Sequence, residues 1–122
     1  MGQRWMDATT VLGATAIDAG STSYSVALGA LNAIGSYGAL QITSTATGGI
    51  VITQQVSVDG ATWIDPTNAT MAAAGAVYNS VATVLNMYIP FTPVVAPYIR
   101  FKVVPVQTNT ITLKYVNQGE RM

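Results

Sequence analysis

The segment IVITQQVSVDGATW, residues 50–63, does most to decide how this sequence can fold. Residues 50–58 are mostly strand formers, and the run stops at Asp59 and Gly60, a pair that tolerates the positive φ of a tight turn. Trp63 follows directly on the returning chain. A strand, a turn and a second passage of the chain are therefore predicted from local sequence.

A second decisive strand is predicted at residues 98–103, where apolar and polar side chains strictly alternate. The apolar set is Ile99, Phe101 and Val103, and the polar set is Tyr98, Arg100 and Lys102. Because side chains of a strand point to opposite faces in turn, one face is expected in a core and the other in water.

Further short strands follow from the same alternation, with turn signals about every eight to twelve residues. They are predicted at residues 9–17, 22–31, 40–45, 81–91 and 111–115. The fold class is therefore all-β, an antiparallel β-sandwich of jelly-roll-like form with about eight strands.

The predicted core consists of apolar residues that share parity within these strands: Val56, Val58, Ile99, Phe101, Val103, Ile111 and Leu113. In the strand at 22–31, Tyr24, Val26 and Leu28 share one parity, which predicts a half-buried strand. Residues 81–91 are read as a single strand that is apolar on much of both faces.

Glycine and proline mark the connections. Gly48 and Gly49 are read as the turn that joins strands 40–45 and 50–58 into a hairpin. Turns or loops are predicted at residues 18–21, 32–38, 65–68 and 105–109, and a loop or short edge strand at 69–75.

Composition excludes several kinds of chemistry. The 122 residues include no Cys and no His, which removes thiol catalysis, Cys-based metal sites and the usual general base at neutral pH. Ser and Thr are plentiful but have no evident base to activate them. We therefore expect no enzyme activity, no catalytic residues, no metal site and no cofactor.

Charge limits the partners. Charged residues make up 8% of the chain and the net charge is zero, against roughly 25% charged residues in a typical soluble domain. Nucleic-acid binding needs clustered Lys and Arg, so no nucleic acid is expected. No apolar run approaches the ~20 residues of a membrane span, and no signal peptide or membrane association is expected. A surface so poor in charge favours self-association.

The predicted organisation is an N-terminal arm at 1–8, one β-sandwich domain at 9–116 and a C-terminal tail at 117–122. Arg4, Trp5 and Met6 stand in the arm, and Arg and Trp are residue types that anchor interfaces. These three residues are candidates for a partner interface. An arm folded back on its own domain is the other interpretation.

Two further residue pairs invite a functional hypothesis. Asp59 and Asp65 are close in sequence, but Asp-Gly and Asp-Pro are turn pairs, and two acids offer too few oxygen ligands for Ca²⁺. Trp63 and Tyr98 are candidates for a sugar-stacking platform, but the favoured interpretation is that Trp63 caps the core at the end of its strand. The triplet Asn68-Ala69-Thr70 matches a glycosylation signal that is frequent by chance.

Residues 55–63, QVSVDGATW, and 96–103, APYIRFKV, together resemble two families. One is the discoidin-like (galactose-binding-like) jelly rolls, in which a Ser-x-Asp-Gly-x-x-Trp strand end precedes a Tyr-Ile-Arg strand. The other is a class of small structural proteins of tailed bacteriophages with the same paired signature. The chain is shorter than discoidin-like domains and lacks their cysteines and charged loops, which favours the second.

The resemblance to the phage class implies a virion structural protein, made in the host cytoplasm and located in the virion. Its implied role is that of a capsid decoration (cement) protein that binds and stabilises the shell. The implied partners are the major capsid protein or another virion protein and further copies of the chain, with a trimer favoured. The alternative is a carbohydrate-binding β-sandwich module of a phage tail or cell-surface assembly.

Overall fold

A computed structural model of the chain describes residues 3–29, 37–67, 75–94 and 96–121. These residues form eight strands and no helix. The strands are β1 (Gln3–Ile17), β2 (Ser23–Tyr24), β3 (Tyr37–Ser44), β4 (Gly48–Ser57), β5 (Ala76–Ala82), β6 (Asn86–Phe91), β7 (Tyr98–Pro105) and β8 (Asn109–Arg121). In the described part of the chain, nothing helical is long and apolar enough to cross a bilayer.

The strands form two four-stranded antiparallel sheets. The first sheet has the order β1-β8-β3-β6 and the second the order β2-β7-β4-β5. Consecutive strands alternate between the sheets except at β4 and β5, which are neighbours in the second sheet, and this order is that of a jelly roll built from two Greek keys. The predicted fold class, an antiparallel β-sandwich of about eight strands, is confirmed.

The longest pairing joins the two ends of the sequence. β1 pairs with β8 from Gln3, opposite Arg121, to Ile17, opposite Asn109, with irregular register around Leu12. The sequence suggested no strand pattern at 1–8 or 117–122, yet the backbones of residues 3–8 and 117–121 lie in this pair. The difference arises because each segment is the other's partner, and a partner distant in sequence leaves no local pattern.

The core lies between the sheets. Its members are Val11, Ile17, Leu28, Leu40, Ile42, Ile50, Ile52, Ile99, Phe101, Val103, Ile111, Leu113 and Tyr115. The prediction is confirmed for Ile99, Phe101, Val103, Ile111 and Leu113, which have no exposed surface.

Two predicted core residues depart from this result. Val56 is half-buried and packs against the core. Val58 is 82% exposed, and its prediction as a core residue is wrong. The reason is that β4 ends at Ser57, so Val58 lies in the following loop, where strand parity no longer applies.

An aromatic cluster fills one part of the core. The ring centroids of Phe101 and Tyr115 are 5.4 Å apart, and those of Phe91 and Phe101 are 5.9 Å apart, edge to face. The hydroxyl of Tyr115 is buried and makes no hydrogen bond within the described part of the chain. Burial raises the pKa of Tyr115 to about 12.

The predicted hairpin between strands 40–45 and 50–58 is wrong, because β3 and β4 lie in different sheets. Asn109 Oδ1 accepts hydrogen bonds from the backbone N–H groups of Thr45 (2.9 Å) and Ala46 (3.2 Å), which shapes the crossing between the sheets. Gly48 and Gly49 begin β4 and do not form the predicted turn. A side chain at Gly49 would collide with the backbone of β5 at Ser80.

The single strand predicted at 81–91 is also wrong, since β5 ends at Ala82 and β6 begins at Asn86 in the other sheet. The residues between them are held by the 45–49 crossing. Thr83 donates its backbone N–H to Thr47 O at 2.8 Å and its hydroxyl to Gly48 O at 3.0 Å. Tertiary hydrogen bonds therefore interrupt an apolar run that reads as continuous.

The strand predicted at 22–31 is shorter than expected. β2 covers only Ser23–Tyr24, and Leu28 forms an isolated bridge to Ile99. Of the predicted face, Leu28 is buried, whereas Tyr24 is 46% and Val26 59% exposed. Ser25 is buried instead, because its hydroxyl accepts the backbone N–H of Phe101 at 2.8 Å.

Parts of several predictions fall outside the described residues. They are residues 1–2 of the arm, 30–31 of the strand at 22–31, 32–36 of the loop that follows, 68 of the turn at 65–68, 69–74 of the next segment, the triplet beginning at Asn68, and 122 of the tail. Residues 37 and 38, predicted as the end of that loop, begin β3.

Candidate functional site

The outer face of the second sheet carries the densest set of interacting polar and aromatic side chains in the described part of the chain. We call it the Arg100 site, after its central residue. Its members are Tyr24, Gln55, Trp63, Asp65, Arg100 and Lys102.

Strand register brings three of these residues together. Arg100 points outward because its neighbours Ile99 and Phe101 point into the core. Gln55 of β4 lies directly opposite Arg100. On the other side of β7, Tyr24 of β2 lies opposite Lys102, which makes it a diagonal neighbour of Arg100.

Trp63 and Asp65 lie in the segment that follows β4. Asp59 Oδ1 accepts the backbone N–H groups of Ala61 and Thr62, each at 2.9 Å. These bonds hold the pKa of Asp59 at about 2. Gly60 has a φ of 79°, as the Asp-Gly pair predicted.

The chain then returns to the sheet beside β4. Val56 and Ile64 exchange two backbone hydrogen bonds of 3.0 Å each. This bridge fixes the backbone between Trp63 and Asp65, so that both side chains fall on the outer face with Gln55.

The guanidinium of Arg100 lies over two aromatic rings. Its Cζ atom lies 3.9 Å from the centroid of the Tyr24 ring and 4.5 Å from that of the Trp63 ring. Both distances are within the range of cation–π attraction. The stack restrains a side chain that would otherwise sample many rotamers.

A chain of hydrogen bonds continues from the stack. Arg100 Nε donates to Gln55 Oε1 at 2.8 Å, and Gln55 Nε2 donates to Asp65 Oδ1, also at 2.8 Å. Lys102 Nζ lies 3.3 Å from Asp65 Oδ2. The hydrogen bond from Gln55, helped by Lys102, holds the pKa of Asp65 below its usual value.

The structure shows where the residues singled out in the sequence lie. Trp63 is not part of the core cluster, so its interpretation as a core cap is wrong; it covers Arg100 instead. Tyr98 is 37% exposed, and a Cβ at Gly60 would lie 3.6 Å from its ring. Asp59 and Asp65 have separate partners, one in the loop and one at Gln55.

Sequence reasoning missed Tyr24 and Gln55, and it noted Arg100 only as an outward residue. Strand alternation was the available signal for Arg100. Arg4, Trp5 and Met6 lie in β1 opposite Glu120, Gly119 and Gln118, and their role as a partner interface stays a prediction.

A second surface feature lies at one end of the sandwich. Here four apolar side chains are exposed, and we call them the apolar end: Val81 (91%), Val84 (62%), Leu85 (47%) and Val106 (62%). Backbone bonds tie this region together, since Val106 N donates to Gly49 O and Ser44 N to Leu85 O, each at 2.8 Å.

The described residues contain no group of three or more acids that could hold a metal ion. No family model matches the chain, and no curated protein matches it. The discoidin-like resemblance is therefore not confirmed.

Three solved structures are similar to this chain. The SPBc2 prophage-derived protein YomS has 17% sequence identity and a TM-score of 0.52, with 96% of each chain covered. A protein of Bacillus endospore appendages, which form disulfide-linked pili, has 11% identity and a TM-score of 0.45, with 100% of this chain and 88% of that chain covered. A chain in the structure of infectious bursal disease virus, Gx strain, has 16% identity and a TM-score of 0.44, with 93% of this chain and 32% of that chain covered. The likeness to YomS shows a shared fold.

Proposed function

We propose that this chain is a structural protein of a bacteriophage virion, and that it decorates and stabilises the capsid shell. The proposal assigns it no catalysis. Support comes from the jelly roll, a fold used in viral capsids among other roles, and from its occurrence in a prophage-derived protein. Because one fold can host many functions, the role of this chain depends on its surface.

The observation that carries the proposal is the apolar end. Val81 and Val84 are more exposed than most large apolar residues, on a chain in which only 8% of residues are charged. Exposed apolar patches on soluble proteins commonly mark contacts with other molecules. We assign this end to contacts with neighbouring subunits, which are further copies of the chain, with a trimer favoured, and the shell protein.

The test is sedimentation with capsid shells made from the major capsid protein encoded by the same genome. Wild-type protein is expected to co-sediment saturably and to raise the temperature at which the shells fall apart. The double variant Val81→Ser/Val84→Ser should weaken this binding by about tenfold or more, the loss expected of interface residues worth 1.4 kcal/mol together.

A matched control is Val58→Ser, because Val58 is 82% exposed but lies in the loop at the opposite end of β4. It should bind shells like the wild type. Shells that never retain the wild-type protein would refute the proposal. Equal losses in the control and the double variant would remove the apolar end from it.

A second candidate function, carbohydrate binding by a tail or cell-surface module, is favoured by one observation. Tyr24 and Tyr98 are partly exposed and Trp63 half-buried, and all three belong to the outer face of the second sheet. Aromatic rings on a sheet face can stack on sugars. A glycan array with the wild-type protein would show this function as binding that is lost in Tyr98→Ala.

A further inference from the structure

We propose that the Arg100 site binds a carboxylate, specifically the side chain of an Asp or Glu on the surface of a partner protein. The inference goes beyond the proposed function and rests on the geometry of this face alone. If the proposed function holds, the partner is the shell protein.

Arg100 has unused donors in a fixed position. Within the described part of the chain, Arg100 donates one hydrogen bond, from Nε to Gln55 Oε1 at 2.8 Å. The two Nη groups make no hydrogen bond there. They are not among the buried atoms that lack a partner, so both are exposed to solvent. Their four N–H bonds form the planar fork that pairs with a carboxylate through two parallel hydrogen bonds.

The site is also preorganised. The Arg100 guanidinium lies over the rings of Tyr24 and Trp63, and its Nε is held by Gln55. The edge that remains open is the one carrying the Nη groups. A ligand that binds there does not have to order a mobile side chain, which removes a cost that usually weakens binding by surface arginines.

The charges of the site favour an anionic ligand. The site holds two cations, Arg100 and Lys102, and one anion, Asp65. Asp65 is engaged by Lys102 and by the amide of Gln55, so a neutral amide stands between it and Arg100. Arg100 therefore has no direct counter-ion among the described residues, and an incoming carboxylate would supply one.

The chemistry favours a protein partner over other anions. A single fork is too little positive charge for a nucleic-acid backbone, which requires several phosphate contacts. One face of each flanking ring is already occupied by Arg100, which leaves less aromatic surface for a sugar. Trp, Tyr and Arg together at a surface are the residue types that dominate protein interfaces.

The test is a titration of the free, ¹⁵N-labelled full chain followed by NMR, with the peptide acetyl-Gly-Glu-Gly-amide as the probe. The signals of Arg100 Nε–Hε and of the Trp63 indole N–H should shift saturably. The matched peptide acetyl-Gly-Gln-Gly-amide, which lacks the charge, should need at least about a tenfold higher concentration for the same shift.

Two variants sharpen the result. Arg100→Lys keeps the charge but removes the fork, and it should abolish the saturable shift of Trp63. Lys114→Gln removes an exposed cation of β8, in the first sheet, and should leave the titration unchanged. If Arg100→Lys does not fold, the comparison of the two peptides on wild-type protein decides alone.

Equal shifts with the Glu and Gln peptides would overturn the inference. Saturation by D-glucuronate at a lower concentration than by the Glu peptide would overturn it in favour of an acidic sugar. Because neither arm uses capsid shells, failure here is separable from failure of the proposed function.

Discussion

The two faces of β7 differ in what they contribute to the molecule. On the inner face, Ile99, Phe101 and Val103 have no exposed surface and pack in the core. On the outer face, Arg100 and Lys102 are half-buried in a network that remains open to water. Neighbouring residues of β7 therefore have different roles: the inner face stabilises the fold, and we propose that the outer face recognises a partner.

The magnitudes explain why the two faces can be separated by mutation. Burying a large apolar side chain contributes about 1.5–3 kcal/mol. A partly exposed ion pair such as Lys102 with Asp65 contributes about 0–1 kcal/mol. Inner-face variants should thus change the free energy of unfolding strongly, whereas outer-face variants should change binding and leave the fold nearly intact.

The largest effect is expected for Phe101→Ala. Phe101 is fully buried and contacts the rings of Phe91 and Tyr115, so truncation should lower the free energy of unfolding by about 3–5 kcal/mol. Urea denaturation followed by fluorescence measures this, as a lower midpoint with an unchanged slope. A loss below about 1 kcal/mol would mean that the cluster is loosely packed.

Ser25→Ala should have the next largest effect. It removes the hydroxyl that accepts the backbone N–H of Phe101 and leaves that buried donor without its partner, which costs about 1–3 kcal/mol. Ser23→Ala, on the neighbouring strand β2, is the control and should stay within about 0.5 kcal/mol of wild type. Similar unfolding midpoints for the two variants would show that the Ser25 bond contributes little.

Tyr115→Phe should be a smaller change in the opposite direction. The Tyr115 hydroxyl is buried without a hydrogen bond in the described part of the chain, so its removal should raise stability by about 1 kcal/mol. Thermal and urea unfolding at neutral pH measure the gain. Loss of stability would indicate that the hydroxyl has a partner.

The same residue predicts a pH dependence. The folded pKa of Tyr115 is raised to about 12 from 10.0, so above pH 10 the unfolded chain loses this proton and the folded chain retains it. The unfolded state then binds fewer protons, and stability falls as pH rises from 10 to 12. Tyr115→Phe should lose less stability than wild type over this range, and identical curves would contradict the assignment.

How far the sequence predicts this molecule depends on whether a feature is local. Alternation at residues 98–103 correctly assigned both faces of β7, and the Asp-Gly pair correctly predicted the turn at Gly60. Val58 was misassigned because parity was continued beyond the end of β4. These outcomes depend on residues adjacent in the chain.

Features that depend on distant partners were not predictable. The hairpin expected at Gly48 and Gly49 is replaced by a crossing between sheets that Asn109 shapes from far along the chain. The stack of Trp63 on Arg100 likewise joins two segments that only the second sheet brings together. The local sequence around Trp63 does not indicate a contact with Arg100, and that around Arg100 does not indicate one with Trp63.

The central claim is that the outer face of β7 recognises a partner while the inner face maintains the fold. It is tested most directly by the concentrations at which two neighbouring variants half-saturate capsid shells. Ile99→Val costs about 0.5–1.5 kcal/mol of stability and should bind shells like wild type. Arg100→Gln should need a concentration at least about tenfold higher. Equal binding by Arg100→Gln and wild type would contradict the account.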